Sequence, residues 1–136
     1  MATRRRNRKS KPPVVLVVED EPTIRALAVS IIEDNLGWRT LSAADAREAL
    51  ALLEEGADAS FLFTDIELPG SAPPRDGFEL AHRARELQPE LRVSYTSGRD
   101  QTDGMRALAV EGAIFLSKPY TPEQLLATLR KLAETG

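Results

Sequence analysis

The sequence contains no cysteine and a single histidine, His82, in 136 residues. Without thiols there is no disulfide framework, no thiolate zinc site and no cysteine nucleophile. One imidazole argues against a His-rich metal centre and against a Ser-His-Asp triad. Aromatic residues are scarce, at 5%. No apolar run approaches the ~18–20 residues of a membrane span, and no apolar signal-peptide core follows the N-terminal charges. The expectation is a cytoplasmic protein of one domain, long enough to bury roughly two-thirds of its unfolded surface.

What is present in excess is charge, at 29% of residues, with a net value of only −3. That balance hides an uneven distribution. Arg4, Arg5, Arg6, Arg8, Lys9 and Lys11 occur with no acid among them, so the rest of the chain is distinctly acidic. A basic arm can engage nucleic acid, anionic lipid or an acidic partner. Here no aromatic residue is interleaved for base stacking, and no helix-turn-helix or zinc-finger pattern follows. Residues 1–11 are therefore expected to be a disordered, solubilising arm, with one folded domain over 12–136 and nucleic acid not expected as a partner.

From Pro12 onward, short apolar runs alternate with longer amphipathic segments. Val14 to Val18 suits a strand buried on both faces. Residues 22–35 read as a helix opened by Pro22 and striped by Ile24, Leu27, Ile31 and Ile32. Trp38 to Leu41 reads as a short strand, Ser42 to Glu55 as a helix stopped by Gly56, and Ala59 to Thr64 as a strand. After a loop rich in Pro and Gly over 69–77, Gly77 to Leu87 reads as a helix and Leu91 to Thr96 as a strand. Residues 101–111 read as a helix, Ala113 to Ser117 as the last strand, and the segment capped by Thr121 as the last helix. The order is (βα)5. Helical crossovers require a parallel sheet, and right-handed connections put helices on both of its faces.

In open parallel sheets, function gathers at the carboxyl ends of the strands. The first strand ends in Glu19-Asp20-Glu21, the third in Asp65, the fourth in Thr96-Ser97-Gly98 and the fifth in Lys118-Pro119. One sheet edge thus collects carboxylates, a hydroxyl and a lysine. Packed carboxylates repel unless a proton or cation intervenes. Oxygen donors without His or Cys favour a hard cation such as Mg²⁺. Phosphoryl transfer needs little beyond a nucleophile, a metal and fixed donors for the phosphate oxygens. Asp65 is a candidate nucleophile, Lys118 a source of positive charge and Ser97 a hydroxyl donor.

With these residues in place, the chain resembles the receiver domain of two-component response regulators over about Val14 to Ala133. The motifs are Val-Val-Glu19-Asp20-Glu21-Pro, Phe-Thr-Asp65-Ile-Glu-Leu-Pro69-Gly, Asp76-Gly77, Thr96-Ser97-Gly98, Gly112-Ala113 and Lys118-Pro119-Tyr120. The resemblance implies a flavodoxin-like three-layer sandwich of strand order 2-1-3-4-5. It also implies that Asp65 accepts a phosphoryl group from a histidine kinase or histidine phosphotransfer protein. Mg²⁺ (or Mn²⁺) would be held by Asp20 directly, by Glu19 through water, by Asp65 and by the backbone carbonyl of Glu67. Lys118 matches the lysine that pairs with the acceptor, Ser97 the switch hydroxyl and Phe115 the switch aromatic. Glu67 and Arg99 match positions that tune phosphate lifetime. Output is expected through the fourth helix, fifth strand and last helix, toward a downstream protein, from a monomer or a phosphorylation-dependent dimer.

Thr96 is the alternative switch hydroxyl; strand neighbours point to opposite faces, so only one of the pair reaches the phosphate. Two departures stand out. The segment Gly70 to Arg75 is about four residues longer than the usual spacing, an insertion that surface loops absorb at little cost. The stretch from Gly112 to Lys118 is about one residue shorter, which bears on the register of Phe115.

The shortness of the chain after Lys118 points to a single-domain, chemotaxis-regulator-like receiver that is not an enzyme beyond assisting its own phosphorylation and dephosphorylation. One alternative is a docking module of the same fold that works without phosphorylation. Another is an aspartyl-phosphate phosphohydrolase, disfavoured because Asp65 is followed by Ile66-Glu67 rather than an Asp-x-Asp pair. Plainer readings apply to other residues. Glu19-Asp20-Glu21 taken alone would be a solvated helix cap. His82 reads as an exposed helix histidine, Phe61, Phe63 and Phe78 as core, Tyr120 as surface packing and Trp38 as edge packing.

Overall fold

Residues 11–134 are described by the structure, a computed structural model. The basic arm expected over 1–11 lies, apart from Lys11, outside the described residues. Strands β1 (Val14–Val18), β2 (Arg39–Ala43), β3 (Phe61–Asp65), β4 (Arg92–Ser97) and β5 (Ile114–Ser117) alternate with helices. The helices are α1 (Pro22–Leu36), α2 (Ala46–Glu54), α3 (Gly77–Leu87), α4 (Asp103–Leu108) and α5 (Pro122–Glu134). The sheet is parallel throughout, in the order β2-β1-β3-β4-β5. This is the expected flavodoxin-like arrangement.

The period-two alternation of each strand divides the core into two layers. Leu16, Val18, Leu62, Val93 and Tyr95 face one way and pack on Ala49 and Leu53 of α2 and Leu80 and Ala84 of α3. Val15, Val17, Phe61 and Phe63 face the other way, against Ile32 of α1 and Leu125 and Leu129 of α5. Every residue of β3 is buried, as suits the central strand. Trp38 stacks on Phe61 with ring centroids 5.2 Å apart, the edge packing expected of it.

Helix ends are fixed by side chains. Asp45 Oδ1 accepts the Glu48 N–H at 2.8 Å, and Asp76 Oδ1 accepts the Glu79 N–H at 2.9 Å. Thr121 and Gln124 form a reciprocal capping box at the start of α5. The Asp45 cap corrects one boundary. The second helix starts at Ala46, not Ser42, because Ser42 and Ala43 pair with Val17 and Val18 and extend β2. Likewise β4 reaches Ser97, which pairs with Ser117.

The larger correction concerns α4, expected over 101–111 and observed over Asp103–Leu108. Thr102 caps its start, and Ala109 is extended (φ −71°, ψ 150°). The cause is a side chain outside the helix: the buried Tyr95 hydroxyl accepts the Val110 N–H at 3.1 Å. That bond takes a donor which a longer helix would have turned inward along its own axis. Tyr95→Phe would leave the Val110 N–H buried and unpaired, a loss of about 1–2 kcal/mol. Urea unfolding should show a lower midpoint at unchanged slope.

His82 is exposed, as expected, yet its Nε2 lies 2.8 Å from the Leu108 carbonyl. Arg85 adds a bond from Nη1 to the Glu111 carbonyl at 2.8 Å. Together with Tyr95 they fasten the end of α4 to the body of the domain. Among the described residues, no helix is long and apolar enough to cross a membrane.

Candidate functional site

The carboxyl ends of β1, β3, β4 and β5 meet at one edge, and the residues after them form the site. The Glu19 N–H donates to the Ala43 carbonyl at 3.1 Å, so strand geometry continues past Val18. Glu19 therefore turns inward and is 4% exposed, whereas Asp20, its neighbour, is exposed. Glu21 has a third role: its side chain caps α1 by accepting the Thr23 N–H at 3.2 Å. The solvated-cap reading thus holds for Glu21 alone. One ligand-capable oxygen each from Glu19, Asp20 and Asp65 lies within 4.8 Å of the others.

Asp65 ends β3 and is 3% exposed. Lys118, following β5, donates from Nζ to Asp65 Oδ2 and to Glu19 Oε1, each at 2.9 Å. Glu19 Oε2 also accepts the Glu21 N–H at 3.1 Å, and the Glu19 carbonyl takes Arg25 Nη1 at 2.7 Å. The electrostatics follow. Burial pushes the Asp65 carboxyl up to about 7; the Lys118 hydrogen bond opposes this and the Glu19 charge reinforces it. For Glu19, burial raises the carboxyl, but hydrogen bonds from Lys118 and the Glu21 amide outweigh it and leave it below its ordinary value. Burial alone would lower Lys118; its bonds to Glu19 and Asp65 hold it above the usual value. Tyr120, edge-on to Phe63 at 5.8 Å, is pushed up to about 12 by burial and by the nearby Glu19 and Asp65 charges.

The donor set fits a hard divalent cation: oxygen ligands only, clustered tightly enough that one lysine does not neutralise them. Protonation of Asp65 and cation binding are the available remedies for the same excess of negative charge.

A backbone approach makes this packing possible. The Gly77 N–H donates to the Ile66 carbonyl at 2.8 Å. A Cβ on Gly77 would collide with the Asp65 carbonyl oxygen and stand 3.0 Å from Ile66 Cα. Only glycine lets the start of α3 lie against the end of β3.

The remaining candidates lie beside the acidic cluster. Ser97 Oγ donates to Glu67 Oε1 at 3.0 Å and accepts the Arg99 N–H at 3.0 Å. Thr96, opposite Asp65 in register, is buried, and among the described residues its Oγ1 has no hydrogen-bond partner. Phe115 pairs with Tyr95 across β4 and β5, and their rings lie 5.3 Å apart; it is half-buried and outside the cluster. The inserted loop is drawn together by Arg75 Nε donating to the Ser71 carbonyl at 3.2 Å, and Pro74 is buried. Sequence reasoning missed Arg25 and Tyr95. Arg25 sits one turn into α1 and Tyr95 inside a strand, and neither position marks a site by spacing.

The pattern of the response regulator receiver domain matches residues 15–130. The chain belongs to this family. Among curated relatives, the receiver is 34% identical over 122 residues to the nitrogen assimilation regulatory protein NtrX of Azorhizobium caulinodans, covering 89% of this chain and 26% of that one. It is 33% identical over 123 residues to the transcriptional regulatory protein TcrA of Mycobacterium tuberculosis, covering 90% and 46%. The receiver thus spans less than half the length of either relative. A solved response regulator receiver protein from Sinorhizobium medicae superposes with a TM-score of 0.81 at 26% identity, over 91% of this chain and 96% of that one. The chemotaxis response regulator CheY4 of Vibrio cholerae gives 0.75 at 28% identity, over 90% and 99%. The acidic pocket at Glu19, Asp20 and Asp65 is typical of phosphoacceptor sites in such receivers.

Proposed function

We propose that this receiver is a phosphorylation-driven switch in which Asp65 is the phosphoacceptor. The observation that carries the reading is the buried Asp65 carboxylate, held between Lys118 Nζ at 2.9 Å and the Glu19/Asp20 pair. An Asp65 oxygen attacks the phosphorus of a phosphohistidine on a histidine kinase or phosphotransfer protein. The phosphorus–nitrogen bond breaks, its electron pair stays on the ring nitrogen, and the imidazole leaves neutral because its other ring nitrogen already carries a proton. Mg²⁺ or Mn²⁺, held by Glu19, Asp20, Asp65 and the Glu67 carbonyl, would supply charge neutralisation for the incoming phosphoryl group.

This chain's own residues do the rest. Lys118 exchanges its carboxylate contact for a phosphoryl oxygen, and Ser97 supplies a hydroxyl donor to another. Thr96 is the lesser candidate, since Ser97 and not Thr96 is the residue that ends β4 at the sheet edge. Phe115, against Tyr95, carries the change to the face formed by α4, β5 and α5, where a downstream protein docks. No residue of α4 is buried, and Leu108 is 55% exposed, which suits a segment that changes its contacts.

Incubation with acetyl phosphate and Mg²⁺, followed by intact-mass measurement, is expected to show one phosphoryl adduct in the wild type and none in Asp65→Asn. A wild type that takes no phosphate, and shows no Mg²⁺-dependent shift with beryllium fluoride, would establish a docking module instead.

A further inference from the structure

Ser97 has one hydroxyl proton, and in this structure it is directed at Glu67. Oε1 lies 3.0 Å from Ser97 Oγ and Oε2 3.3 Å. Ser97 Oγ in turn accepts the Arg99 N–H at 3.0 Å. A serine hydroxyl donates once, so Ser97 cannot hold Glu67 and donate to a phosphoryl oxygen on Asp65 together. The acceptor is a carboxylate, so the bond is charge-assisted and stronger than a neutral one. Its donor end is sheltered, with Ser97 5% exposed, while the Glu67 side chain is exposed. The parallel pairing of β3 with β4, Asp65 opposite Thr96, brings the two residues side by side although they are far apart in sequence.

We infer that the Glu67 carboxylate is a latch on the switch hydroxyl, making the Ser97 proton unavailable to Asp65 and biasing the domain toward its unmodified form. This rests on the phosphoacceptor reading above and adds a positioning residue to it. Engagement of a phosphoryl group then includes breaking the Ser97–Glu67 bond, and the carboxylate is left to solvent. Glu67 also acts as a plain negative charge near an anion, but that repulsion operates whether or not residue 97 carries a hydroxyl. The two effects are therefore separable.

The test is a double-mutant cycle on the full chain in saturating Mg²⁺. Beryllium fluoride is titrated and the Kd read from amide chemical shifts, with circular dichroism confirming that each variant is folded. Glu67→Ala is expected to bind about tenfold tighter than wild type, the combined effect of freeing the Ser97 hydroxyl and removing the nearby charge. In the Ser97→Ala background the same change should gain only about two- to threefold, from charge alone. Glu67→Gln, which keeps a weaker acceptor, should fall between wild type and Glu67→Ala. An equal gain in both backgrounds, or none in either, overturns the latch while leaving the phosphoacceptor reading intact. A wild type that shows no beryllium fluoride shifts overturns both, through the phosphoacceptor reading.

Discussion

Asp65→Asn is expected to melt roughly 6–12 °C above the wild type at pH 8 in metal-free buffer, and close to it at pH 4. The folded protein holds Asp65 at about 7, against an ordinary value of 3.8. Between those values the folded chain keeps a proton that the unfolded chain has released. The contribution of Asp65 to stability is therefore largest at low pH, falls as pH rises from about 4 to 7, and is flat above that. Asparagine mimics the protonated carboxyl at every pH, so its curve lacks this decline. Three pH units at 1.36 kcal/mol each set a ceiling near 4 kcal/mol; sharing of the load with Glu19 and Lys118 makes about 2–4 kcal/mol the expected gap. Glu19, held below its ordinary value, contributes in the opposite sense and in a lower window, losing its stabilisation as pH falls below about 4.5. Mg²⁺ should narrow the gap at pH 8 by stabilising the wild type, which presents all three carboxylates of the cluster. Thermal unfolding from pH 4 to 8, with EDTA and with Mg²⁺, measures each of these. A wild type that gains stability from pH 4 to 7 relative to Asp65→Asn would contradict the assignment of the excess charge to Asp65.

Gly77→Ala should lower stability by about 3 kcal/mol, a large effect for one methyl group. The added Cβ meets backbone, the Asp65 carbonyl oxygen and Ile66 Cα, and backbone cannot rotate out of the way as a side chain can. Relief requires the start of α3 to move off the end of β3, which displaces Asp65 from Lys118. The variant should therefore lose phosphoryl-group uptake more than its stability alone explains. Gly104→Ala is the matched control. Its Cβ has one neighbour, Thr102 Oγ1 at 3.7 Å, and it lies inside α4, where alanine is favoured by about 0.5–1 kcal/mol. Urea titrations of the two variants should move in opposite directions.

Much of the architecture follows from local chemistry. β-branched runs such as Val14 to Val18 make buried strands, and Asp76, Thr121 and Pro122 mark helix starts within a residue of where they occur. Boundaries failed where a distant side chain intervened. Tyr95 ends α4 by taking the Val110 N–H, and nothing near Val110 signals it. The helix expected from Ser42 starts only at Ala46, because the backbone of Ser42 and Ala43 pairs with β1.

The acidic residues and the lysine of the site were legible because strand ends converge in any parallel sheet, whatever lies between them. Strand order along the chain is enough to say which groups reach that edge: Glu19, Asp20, Asp65, Ser97 and Lys118. Tertiary structure decided how they divide the work. Register and side-chain parity bury Glu19 and expose Asp20, though they are adjacent. Lys118 is shared between Glu19 and Asp65, and the Ser97 proton is given to Glu67. These outcomes depend on contacts among residues tens of positions apart, set by how strands pair and how closely α3 approaches β3, and local sequence has no means of encoding such distances on its own.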